Sequence, residues 1–227
     1  MRLAWLFDID GTLLVTDGAA RESFARAVRE VLRVDDDLGD IAFAGRTEPL
    51  ILADILGKHG ARFRDGEEPR FWSAVFAHMR RAFGPDRGRL LPGVGELLDA
   101  IDREPGWVSG LLTGNMTEMA RIKLARFGLA ERFGFGAFGE EAPDRDRLAR
   151  LAVERVSARH GIRPDRCIVI GDTEHDIACA RAAGARVVAV ATGGRSRAEL
   201  EALEPDLALD DLTATGRIIE WARELGA

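Results

Sequence analysis

The stretch "LFDIDGTLL", Leu6 to Leu14, closes an apolar run with two aspartates two positions apart and a glycine directly behind them. A buried carboxylate is costly unless a cation, hydrogen bonds or protonation compensates it. Asp8 and Asp10 therefore call for a positive partner or for a reaction that uses them. The preceding "RLAWLF" is short, apolar and followed by a glycine turn, the pattern of a strand buried on both faces of a parallel sheet. Three more runs repeat it: "WVSGLLT" ending at Thr113, "RCIVIGD" ending at Asp172 and "ARVVAVAT" ending near Thr192. Helical patterns cover 94–104, 116–128, 144–161, 174–184 and 212–226, and "PDLALDD" adds a short fifth strand. Gly128, Gly161, Gly184 and Gly226 stand where C-terminal caps belong. Strands alternating with helices predict a doubly wound α/β core.

Between Asp17 and Arg89 the alternation stops. "AARESFARAVREVLR", "EPLILADILGKHG" and "PRFWSAVFAHMRRAFG" carry helical periodicity with no strand between them, bordered by the turn-rich "VTDG" and "GPDRGRLLPG". The chain is thus read as a core of residues 1–16 and 88–227 with a helical insert of 17–87. Phe71, Trp72 and Phe76 fit the buried stripe of an insert helix, and His59, His78, His160 and His175 fit helix surfaces or packing.

Composition narrows the class. The 227 residues are 46% apolar and 31% charged, with no window of about 18 uncharged apolar residues, so no membrane partner is expected. Acid arrives too early in MRLAWLFDID for a signal peptide, which makes a cytoplasmic location the expectation. A net charge of −6 argues against a nucleic-acid partner. Cys167 and Cys179 fit buried reduced thiols better than a disulfide. The sequence gives no expectation of oligomeric state.

Ligands of open parallel sheets bind beyond the carboxyl ends of the strands. Those ends deliver Asp8 and Asp10, then Thr113, Gly114 and Asn115, then Asp172 and Thr173 with Asp176 close behind. Such oxygen donors suit a hard cation, and Mg²⁺ commonly takes one or two carboxylates, waters and a phosphate oxygen. Phosphoryl transfer fits the remaining groups. One carboxylate can attack phosphorus, a second can move protons, and a hydroxyl with backbone N–H groups can hold the transferring oxygens.

Taken together, "DIDGTLL", "LLTGN" and "VIGDTEHDI" resemble three signature motifs of the haloacid dehalogenase superfamily, over residues 3 to about 193. The resemblance implies a Rossmann-like core with an α-helical cap inserted after the first motif. It also implies Mg²⁺-dependent hydrolysis of a small phosphorylated metabolite through an aspartyl phosphate, in the phosphoglycolate phosphatase branch. On that match Asp8 is the nucleophile, Asp10 the general acid/base and Thr113 the phosphate-binding hydroxyl, with Thr12, Gly114 and Asn115 beside the substrate. Asp8, Asp172 and the backbone carbonyl of Asp10 would hold the metal, with Asp176 at a supporting acidic position.

A fourth motif of the family usually supplies a lysine upstream of the third strand, and no lysine follows Lys123 here. Arg145 in "EEAPDRDRLARL" is the expected substitute, with Arg147 as its rival; arginine keeps the charge but presents a fork. In the insert, "AFAGRTEPLIL" places Arg46 and Thr47 before a helix, resembling the substrate-facing loop of caps in this family. The rival readings are a phosphotransferase of the β-phosphoglucomutase type and a non-catalytic phosphate-binding or sensing module. A dehalogenase or phosphonatase fits less well, since neither needs the acid at Asp10.

Overall fold

A computed structural model describes residues 2–225 of the chain, so Gly226 and its expected capping role lie outside the described residues. In chain order the strands are β1 (Leu3–Phe7), β2 (Leu14–Val15), β3 (Arg89–Leu90), β4 (Trp107–Leu112), β5 (Gly136–Ala137), β6 (Cys167–Gly171), β7 (Arg186–Val190) and β8 (Leu207–Leu209). The helices are α1 (Ala19–Ala27), α2 (Glu48–Lys58), α3 (Glu67–Ala82), α4 (Val94–Asp102), α5 (Thr117–Ala125), α6 (Arg145–His160), α7 (Glu174–Ala182), α8 (Arg197–Glu201) and α9 (Thr215–Glu224). Six strands form one parallel sheet in the order β5-β4-β1-β6-β7-β8, the Rossmann-like arrangement expected.

All five residues of β1 are buried, because its side chains alternate between two covered faces. Trp5 and Phe7 join Ile168, Ile170, Val188 and Val190 on one face. Ala4 and Leu6 join Cys167, Val169, Val187 and Ala189 on the other. Each large apolar side chain so buried contributes about 1.5–3 kcal/mol. Phe7 pairs with Leu111 on one side and Ile170 on the other, which brings the ends of β1, β4 and β6 to the same edge of the sheet. Cys167 and Cys179 are free thiols within this core.

The insert contains α1, continued by one π-helical turn at Val28–Leu32, together with α2 and α3. Phe24 of α1 meets Phe71 and Trp72 of α3 edge-on, with ring centroids 6.1 and 5.8 Å away. Phe71 is fully buried, so the aromatic stripe is packing, as its spacing suggested. The two passages between insert and core meet in an antiparallel ribbon, Leu14 opposite Leu90 and Val15 opposite Arg89. Among the described residues no helix is long and apolar enough to cross a membrane.

Candidate active site

The site is built where β1 leaves the sheet. Asp8 N–H still donates to Ile170 O at 3.0 Å, and the chain then turns so that Leu13 and Leu14 N–H groups reach back to Ile9 O. Gly11 makes the turn with φ +77°, and a Cβ there would overlap the Asp172 carboxylate; glycine satisfies both the left-handed backbone and the close approach. Asp8 therefore stays buried while the Asp10 side chain, 45% exposed, turns into a neighbouring cavity.

Arg145, the first residue of α6, reaches down into the carboxylates. Its Nη2 lies 3.1 Å from Asp8 Oδ2 and also donates to Asp176 Oδ1. Its Nε is buried with no hydrogen-bond partner, and Cys179 of α7 lies close to the guanidinium. Arg147 is exposed, and its backbone N–H caps the helix on Asp144. Of the two arginines, it is Arg145 that enters the site.

Asp8, Asp172 and Asp176 each place a carboxylate oxygen within 4.8 Å of the others. Burial first, eased by Arg145 and worsened by Asp176 and Asp10, pushes the Asp8 carboxyl up to about 6. Burial followed by repulsion from Asp176 and Asp8 pushes Asp172 up to about 8, against a 3.2 Å hydrogen bond donated by Thr12 Oγ1. Such crowding of acidic oxygens suits a divalent cation. Asp176 is committed differently. One oxygen takes Arg145, and the other accepts from Thr173 N at 3.0 Å and Thr173 Oγ1 at 2.7 Å, the capping box of α7. It anchors Arg145 and the helix.

At the end of β4, Thr113 Oγ1 accepts from Asn115 Nδ2 at 2.7 Å and from Asn115 N at 3.3 Å, which leaves its own proton free to donate. Asn115 Nδ2 also donates to Asp10 Oδ2 at 2.8 Å. The sequence reading missed one participant. Lys123 of α5 is 2% exposed and donates to both Asp10 oxygens at 2.8 and 2.6 Å and to Asn115 Oδ1 at 2.5 Å.

A cavity of about 290 Å³ lies over these groups, lined by Asp8, Asp10, Asn115, Lys123, Arg145 and Asp172 on the core side. Phe24, Phe43, Ile51, Arg46 and Glu48 close it from the insert. Arg46 lies in this lining, with Nη2 2.6 Å from Asp54 Oδ2 and a buried Nε that has no hydrogen-bond partner. Thr47 does not. It is 1% exposed, outside the cavity lining, because α2 docks its first turn onto the core: Glu48 N–H donates to Gly114 O at 2.8 Å and Glu48 Oε2 accepts from Met116 N at 2.9 Å. A Cβ on Gly114 would overlap Arg46 O, so glycine permits this contact. Thr12, Thr113 and Asp176 also lie behind the lining. The histidines stay apart: His59 pairs with Asp36, His78 with Glu30, His160 stands against Phe135, and His175 is exposed.

The haloacid dehalogenase-like hydrolase family model matches residues 5–181, which include the ends of β1, β4 and β6. The chain belongs to the haloacid dehalogenase-like hydrolases. Members of this hydrolase family with phosphatase activity generally use a divalent metal, in keeping with the aspartate cluster. The hydrolase is 30% identical to a 5'-nucleotidase of Pseudomonas aeruginosa over 95% of this chain and 94% of that one. It is 27% identical to a phosphoglycolate phosphatase of Vibrio vulnificus over 91% of each chain. Its fold matches the crystal structure of a predicted phosphoglycolate phosphatase from Haemophilus somnus 129pt with a TM-score of 0.75 and 20% identity, over 96% of this chain and 98% of that one.

Proposed function

We propose that the hydrolase is a Mg²⁺-dependent phosphatase that cleaves a small phosphomonoester through an aspartyl phosphate on Asp8. It is a phosphoric monoester hydrolase of the phosphoglycolate phosphatase-like kind. The observation that carries the reading is the gathering of Asp8, Asp172 and Asp176 within 4.8 Å at the floor of the cavity, with Arg145 Nη2 3.1 Å from Asp8 Oδ2 as the cation beside the attacking carboxylate. Asp8 attacks phosphorus and forms the P–O bond of the acyl phosphate while the ester P–O bond breaks. Asp10 gives its proton to the departing alkoxide, then takes one from the water that cleaves the acyl phosphate. Thr113 Oγ–H, Arg145 and the backbone of the Gly114 turn hold the transferring oxygens. Asp8, Asp172 and the Asp10 carbonyl would hold Mg²⁺, which supplies neutralising charge to the nucleophile and the phosphoryl group.

The 17–87 segment acts as a cap over the core of 1–16 and 88–227, with the β2–β3 ribbon as its passage and the Glu48–Gly114 contact as its closed position. The protein works in the cytoplasm on a soluble phosphorylated metabolite. Phosphoglycolate is the first candidate, and Arg46 is the cap cation available to it. The apolar wall of Phe24, Phe43 and Ile51 favours a second reading, a nucleoside monophosphate whose base packs on those rings. The test is phosphate release from a panel of phosphate esters with Mg²⁺, with EDTA and with Asp8→Asn. Turnover abolished by both supports the reading; absence of turnover across the panel supports a sensing module, and bisphosphate formation without release supports a phosphotransferase.

A further inference from the structure

Lys123 stands outside the residues that the resemblance assigns, yet it is the best-connected cation in the cavity. It projects from the second turn of α5, is 2% exposed, and spends its donors on Asp10 Oδ1, Asp10 Oδ2 and Asn115 Oδ1. Asn115 is fixed in turn. Its carbonyl faces the lysine, and its amide hydrogens go to Asp10 Oδ2 and Thr113 Oγ1, so no flipped amide satisfies the same partners. Burying an ammonium group is expensive, and an apolar side chain facing the core would usually serve stability as well or better. The placement therefore points to orientation of Asp10, whose own side chain is 45% exposed and is held just past a strand end by Lys123 and Asn115.

We infer that Lys123 is a positioning residue for the general acid: with Asn115 it clamps the Asp10 carboxyl toward the leaving oxygen and ties that carboxyl to the Thr113 hydroxyl on the transferring phosphoryl group. The inference rests on Asp10 being the acid. In the first step a clamp of this kind matters only for leaving groups that need a proton; in the second it orients Asp10 toward the attacking water whatever the ester. An alkoxide leaves poorly without one, whereas p-nitrophenolate departs as the anion.

Lys123→Met is assayed in the full-length enzyme against p-nitrophenyl phosphate and against whichever of phosphoglycolate, AMP and glucose 6-phosphate the wild type turns over fastest. The clamp predicts that kcat/KM, which reports the steps up to departure of the leaving group, falls about 10²-fold on the alkyl ester, within the range of general acid catalysis, and changes by less than about threefold on the aryl ester; loss and selectivity are read on kcat/KM throughout, since kcat also contains the water step that Asp10 serves for both esters. Asp10→Asn is run in parallel, and Lys123→Gln is the second variant should Met not fold. Selective loss in both Asp10→Asn and a Lys123 variant supports the inference. Selective loss in Asp10→Asn with equal loss on both esters in the Lys123 variant overturns the clamp. Equal loss on both esters in Asp10→Asn itself overturns the acid reading beneath it. If neither Lys123 variant folds, the lysine is a structural residue and the inference fails.

Discussion

Arg145 Nη2 lies 3.1 Å from Asp8 Oδ2 while the same guanidinium is held by Asp176 from α7. Asp176 thus fixes the arginine, and the arginine faces Asp8, the proposed nucleophile. Replacing Arg145 by methionine removes the phosphate donor and leaves three buried carboxylates without a cation. We expect kcat/KM to drop about 10²- to 10³-fold. Lysine restores the charge but not the planar guanidinium whose Nη2 meets both Asp8 and Asp176, so Arg145→Lys should recover only part of the loss. Steady-state kinetics on p-nitrophenyl phosphate checks both, and full activity in Arg145→Met would remove the residue from the mechanism.

Asp8 and Asp172 are pushed up by burial and by the acids around them, which a bound cation would relieve. Mg²⁺ at a concentration 100 times its Kd should therefore stabilise the fold by about 2.7 kcal/mol. Asp172→Asn should lose most of that gain while raising the stability of the metal-free protein. Thermal melts with and without Mg²⁺ measure it, and an unchanged metal response in Asp172→Asn would place the ion elsewhere.

Glu48 joins insert to core from a fully buried position. Burial outweighs the attraction of Lys123 and the Met116 N–H bond, with Asp10 and Glu140 adding repulsion, and its carboxyl is pushed up to about 8. The folded protein therefore binds a proton that the unfolded chain releases near its ordinary value of 4.5. Glu48 contributes its full stability below that value and loses it as pH rises toward 8. Glu48→Gln keeps an acceptor for Met116 and cannot ionise. Its denaturant midpoint should fall less between pH 5 and pH 8 than that of the wild type, and identical slopes would contradict the assignment.

Phe43 meets Phe24 edge-on at 5.5 Å in the cavity wall, with the Arg21 guanidinium, also in the lining, 4.5 Å over its ring. Phe43→Ala should lower kcat/KM for a nucleoside monophosphate about tenfold, the order of one lost stacking contact, and barely alter turnover of phosphoglycolate. The reverse pattern would favour the small acid as substrate.

The four principal strands were legible because each is an apolar run buried on both faces, and the helices because their apolar period is long. β5, only Gly136–Ala137, carries no such pattern and is defined by its pairing with Leu111 and Leu112. The β2–β3 ribbon joins residues far apart in the chain, which no local pattern announces. Short α8, Arg197–Glu201, rests on its Ser196 capping box, too brief for periodicity to show. In the site, Asp8, Asp10 and Asp172 were legible as polar residues ending apolar strands. Arg145 came from the resemblance, as the substitute for the lysine that the family's fourth motif usually supplies upstream of the third strand. Lys123 was hidden among the charges of "MARIKLARFG", although it shares the buried side of α5 with Met119 and Ala120, four and three residues earlier, and a lysine in that stripe was the available signal. Thr47 was misplaced because the exposed helix start that its sequence suggests is covered by Gly114 O.

The claim on which the rest depends is covalent catalysis by Asp8. Mass spectrometry of enzyme acid-quenched during turnover of p-nitrophenyl phosphate with Mg²⁺ tests it most directly. The account predicts one phosphoryl group on the peptide containing Asp8, lost on hydroxylamine treatment and absent in Asp8→Asn. Unmodified Asp8 in an enzyme quenched at full turnover, with inversion at phosphorus in a chiral ester, would contradict it and assign the attack to water.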